Sequence, residues 1–74
     1  MNNKKIDGEL YAYLQAKTIA EDGVTVLYKK DLPPQYVICQ QLGIKDARTY
    51  KAHLKYLLDY NYVIDDGDRF IFPN

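Results

Sequence analysis

Lys45, Arg48, Lys51 and Lys55 recur at three- and four-residue spacing, so a helix through this segment carries them along one side. Only Asp46 opposes them, which leaves a local charge of +3 in a chain of formal net charge zero. Such a row can neutralise phosphate oxygens, and an arginine near the start of a helix can hold a base edge through two parallel donors. The same row also serves to solvate an exposed helix face. Which reading applies depends on how the surrounding elements present the segment.

The period of the segment is helical. Ala47, Tyr50, Leu54, Leu57 and Leu58 form one apolar stripe, predicting a helix over about 46–61 that ends at Asn61, a residue suited to a left-handed cap. Ahead of it, Ile38, Cys39 and Leu42 form the buried side of a shorter helix over about 33–42, with Pro33 and Pro34 tolerated in its opening turn. Gly43 supplies the turn between the two. Cys39 lies where these helices approach closely, which points to packing.

A first helix is predicted from Asp7, as its cap, with Glu9 in the first turn and Ile6, Leu10, Tyr13 and Leu14 as its apolar positions, ending at GluAspGly 21–23. ValThrValLeuTyr 24–28 reads as a strand, and Asp66-Gly67 between ValIle 63–64 and PheIlePhe 70–72 reads as a hairpin. A lone ribbon is marginal, so the 24–28 strand is expected to join it as a third. The predicted order is α-β-α-α-β-β: an α+β chain of three helices and a small antiparallel sheet. Residues 1–5 are expected to be a flexible N-terminus, and 6–74 a single domain.

Length and composition bound the function. At 74 residues the chain holds one core. Hydrophobic residues make up 47% and charged residues 27%, as in a globular domain. Eight tyrosines and no tryptophan suit a domain with little deep interior, since tyrosine keeps its hydroxyl at the boundary. The apolar runs are too short to span a membrane, and MetAsnAsnLysLysIleAspGlyGlu has no apolar segment behind its bases, so it does not read as a signal peptide. One cysteine fits a reducing, cytoplasmic setting. No His/Cys/acid spacing suggests a metal, and neither a cofactor nor a small-molecule ligand is expected. The aspartates at 65, 66 and 68 sit on a turn, so an enzyme is not expected. His53 reads as a helix-surface or boundary residue.

The order of elements, LeuGlyIle at the turn and a two-stranded wing after the third helix resemble the winged helix-turn-helix superfamily over about Asp7 to Phe72. LeuGlyIleLysAspAlaArgThrTyrLysAlaHisLeuLysTyrLeu looks like a variant found in Gram-positive phage and plasmid regulators and DnaD-like replication proteins. The resemblance implies a winged helix-turn-helix with Gly43 as turn glycine, a recognition helix over 46–61 and a wing over 65–69. Wings of this superfamily often bring Arg or Lys to DNA, whereas this one carries Asp65, Asp66 and Asp68 against Arg69.

The expected function is therefore sequence-specific double-stranded DNA binding, in transcription regulation or replication initiation of a phage- or plasmid-type element. Arg48, Thr49 and Ala52 are the candidates for base edges. Lys29, Lys30, Lys45, Lys51, Lys55 and Tyr56 are the candidates for phosphates, the first two near the N-terminus of the second helix. A homodimer or a larger protein is expected around so small a module, and the end at PheProAsn is equally consistent with an excised N-terminal domain. The alternative is a winged-helix protein-interaction module, including an inhibitor of a host nucleic-acid enzyme, which the zero net charge and acidic wing favour. Tyr11, off the Leu10/Leu14 stripe, is a candidate for a self-association face.

Overall fold

The computed structural model describes residues 3–73. Helix α1 spans Asn3–Gln15, β1 Ile19–Glu21, β2 Val24–Tyr28, α2 Gln35–Leu42, α3 Ala47–Asp59, β3 Ile64–Asp66 and β4 Arg69–Ile71, with a 3₁₀ turn at Lys29–Asp31. The chain is α+β, with three helices and one antiparallel sheet in the order β1-β2-β4-β3. The 24–28 strand does join the hairpin, pairing with β4 through Val26↔Ile71, Leu27↔Phe70 and Tyr28↔Arg69.

The structure adds a strand to the expected order. Helix α1 stops at Gln15 rather than near residue 20, and Ile19–Glu21 turns back to pair with β2. Asp22 and Gly23 both have positive φ, 53° and 79°, as a two-residue hairpin turn of twisted strands requires. AspGly is therefore a hairpin signal here and not a helix stop. The side-chain and backbone bonds of Thr18 to the Gln15 carbonyl close the last turn and release the chain toward β1.

The start of α1 also differs. Asp7 lies inside the helix and not at its cap, and residues 3–5 belong to α1. Residues 1 and 2, and Asn74, lie outside the described residues. Asp7 shares the stripe of Leu10 and Leu14, and all three are buried.

Both turns that frame α3 close in the same way. Gly43 sits at φ 71°, and Ile44 N–H donates to the Cys39 carbonyl at 2.8 Å. Asn61 sits at φ 61°, and Tyr62 N–H donates to the Leu57 carbonyl at 2.9 Å. Each is a left-handed residue followed by a six-residue closure, which satisfies helix-end carbonyls and redirects the chain.

The core joins Leu10 and Leu14 of α1 and Leu27 of β2 to Ile38 and Cys39 of α2. It also takes in Ile44, Tyr50 and Leu57 with Val63, Phe70 and Phe72. Burying each large aliphatic side chain there contributes about 1.5–3 kcal/mol. Alternation sends Val26 to the opposite face of the sheet, where Ile19, Val26, Ile71 and Ile64 form one row across all four strands. Val26 is 0% exposed although it lies outside the helix-packed core. Tyr28 and Arg69 stand one row along from Val26 and both bond Glu21, one row the other way, so their side chains cross over it.

Candidate functional site

The cationic segment is held by α3. Asp46 caps the helix: its carboxylate accepts from Thr49 N–H at 2.9 Å, and this bond, with the Thr49 hydroxyl and nearby Arg48, holds the Asp46 carboxyl below its ordinary range. Successive residues rotate by about 100°. With Tyr50, His53 and Leu57 buried, Arg48, Lys51, Ala52 and Lys55 must face outward, and all four are exposed. Lys45, just before the cap, is exposed as well. Thr49 is half-buried at the flank, its backbone N–H taken by the cap.

The charges on this face are not equivalent. Lys55 Nζ lies 2.6 Å from Asp59 Oδ2, one turn on. Lys45, Arg48 and Lys51 have no carboxylate oxygen within 4.0 Å among the described residues. Exposed pairs of the Lys55 kind are worth little to stability, but they occupy a cation that a phosphate would otherwise take.

Three sequence candidates stand elsewhere. Lys29 passes over the Phe70 ring at 5.0 Å and pairs with Asp65 of β3 at 2.8 Å. Lys30 lies 5.9 Å over the Tyr28 ring. Tyr56 turns to the opposite end of α3, 4.6 Å from the Tyr60 ring and 6.3 Å from that of Tyr62. Desolvation raises its phenol pKa, with Tyr62, Tyr60 and Asp7 adding to the rise.

The β3–β4 hairpin is acidic in composition and largely matched in structure. Asp65 pairs with Lys29, and Asp66 with Arg69 at 2.9 Å, while Arg69 also reaches Glu21 at 3.0 Å. The bond to Asp66 chiefly raises the Arg69 pKa, and the bond to Glu21 chiefly raises that of Tyr28. Lys29 is thus a second cation opposing the aspartates of this hairpin. Asp68 has no cation within 4.0 Å among the described residues.

The largest departure from sequence reasoning is His53. It is 6% exposed, and its Nδ1 lies 2.5 Å from Asp7 Oδ1, itself in a residue 6% exposed. The bond ties α1 to α3 through the interior. The residues are 46 apart, so no local spacing links them. A readable signal existed: each is the ionisable member of an otherwise apolar stripe, Asp7 with Leu10 and Leu14, His53 with Tyr50 and Leu57.

No protein-family model, curated protein or solved structure matches the chain. No helix among the described residues is long and apolar enough to cross a membrane.

Proposed function

We propose that the chain is a winged helix-turn-helix module that binds double-stranded DNA, with α3 as the helix entering the major groove. The observation that carries this reading is the outward face of α3 and the residue before its cap, where Arg48, Lys51 and Lys45 are exposed with no carboxylate partner among the described residues. The left-handed turn at Gly43 supports it, because α2 and α3 there meet through a short, closed connection. In this reading Arg48, Thr49 and Ala52 meet base edges, Lys45 and Lys51 meet phosphates, and Lys55 does so once it leaves Asp59. The biological setting we propose is transcription regulation or replication initiation. One such module buries modest area, so useful affinity calls for two copies on adjacent half-sites or a larger protein.

The test is duplex binding across a salt series. About three phosphate contacts predict a log–log slope near −3. No retention on duplex DNA at about 50 mM salt overturns the reading.

The outer face of the sheet favours a second one. Ile19, Val24 and Ile64 are exposed on it, which suits a protein-interaction module. Loss of DNA retention together with concentration-dependent association would select that alternative.

A further inference from the structure

Three tyrosines, Tyr11, Tyr56 and Tyr62, gather in one place. A cleft of about 540 Å³ opens between α1 and the C-terminal end of α3, lined by Asp7, Gly8, Tyr11, Tyr56, Leu57 and Tyr62. The Tyr56 and Tyr62 rings are near parallel, at 26°, and the Tyr11 ring stands at 68° to that of Tyr62 with centroids 6.2 Å apart. Tyr62 is half exposed although its ring packs against two others.

Two features of the lining are not explained by packing. Asp7 contributes a carboxylate within an otherwise buried residue, and among the described residues its only bond is that of Oδ1 to His53. Among the described residues no buried side-chain oxygen lacks a partner, and Asp7 lines the open cleft. Gly8 lies in the interior of α1 without positive φ, and a Cβ there would meet nothing within 4 Å. A glycine at such a position weakens the helix relative to alanine, and neither backbone geometry nor crowding requires it. Its effect is to leave the cleft floor open beside the carboxylate.

Aromatic faces carry the negative side of the ring quadrupole, and the Asp7 carboxylate beside them, which His53 shares, adds acceptor oxygens. The combination disfavours anions, gains little from neutral ligands, and suits an organic cation. We propose that this cleft is a binding site for an alkylammonium group, held against the rings of Tyr56, Tyr62 and Tyr11 beside Asp7. A free quaternary amine and the side chain of a partner's lysine share this chemistry. The site stands apart from the cationic face of α3 and does not depend on DNA binding.

The test follows the Gly8 and Tyr62 amide resonances of the whole chain by NMR, against sodium chloride at matched ionic strength. The probes are tetramethylammonium, n-butylammonium and the neutral 3,3-dimethyl-1-butanol. Both cations are expected to give saturable shifts with Kd in about the millimolar range, at least about five-fold tighter than the alcohol. The order of the two cations distinguishes a quaternary from a primary amine. Gly8→Met fills the floor with a better helix former, and should weaken binding about three- to ten-fold in a chain that melts no lower than wild type. Tyr62→Leu should weaken binding similarly. Equal affinity for the alcohol, unshifted amides up to about 100 mM probe, or wild-type binding by folded Gly8→Met would overturn the proposal.

Discussion

Over its first two turns α3 shows solvent Arg48, Lys51 and Ala52, with no carboxylate partner for either cation among the described residues. Over its last two turns the cation Lys55 is tied to Asp59, and Tyr56 turns into an aromatic cleft with Tyr60 and Tyr62 beside it. One helix thus offers free positive charge at one end and ring faces beside a carboxylate at the other. Composition makes the two ends look continuous, since Arg48, Lys51 and Lys55 follow one another at three- and four-residue spacing. The difference lies in which cations have found partners, and only an unpaired cation meets a phosphate without first breaking a bond.

The strongest way to break this comparison is to cut the buried anchor between α1 and α3. His53→Ala leaves the Asp7 carboxylate in a buried site without its partner, and should cost about 3–5 kcal/mol. That is a large share of the stability of a small domain, and thermal or denaturant unfolding measures it. Replacing both residues with leucine should recover most of that loss, because two apolar side chains remove the unpaired charge together. If His53→Ala melts like wild type, the anchor is not what holds the two ends of α3 in place.

Next in size is Arg48→Ala, expected to reduce discrimination between a selected duplex site and scrambled DNA by about 1–3 kcal/mol while leaving the fold intact. Unchanged discrimination would remove base reading from the N-terminal end. A smaller effect separates two lysines. Lys51→Ala should reduce the salt slope of duplex binding by about one, and Lys55→Ala by less, because Asp59 already occupies that ammonium. Equal slopes would mean that the Lys55–Asp59 pair opens freely.

The smallest effect concerns the cap. The Asp46 carboxyl is held below its ordinary value, so its contribution to stability is present above that value and is lost as pH falls through the lowered folded value. Asp46→Asn keeps a capping side chain and removes the titration. The variant should match wild type at neutral pH and lose less stability on acidification below about pH 4. An identical acid limb in both proteins would show that the cap carboxylate does not contribute to it.

The α3 stripe and the Gly43 and Asn61 turns were readable in the residues, as were the Asp66-Gly67 hairpin and its joining to the 24–28 strand. Each rests on periodicity or on the few residue types that accept positive φ. The β1 strand was not readable, because Ala20 and Glu21 favour helix and only pairing with β2 overrides that preference. The exposed positions of Arg48, Lys51, Ala52 and Lys55 followed from the stripe. The turning of Tyr56 toward the cleft and of Lys29 toward Asp65 did not.

Local chemistry alone set where the helices and turns fall and which side of α3 carries charge, since these depend on residues within a few positions of one another. The packed chain decided which of those charges stay free, buried His53 against Asp7, and brought Asp7, Gly8 and Tyr11 to the tyrosines that follow Leu54. Those outcomes join residues tens of positions apart. Their energies depend on burial and on partners that exist only once the core has closed.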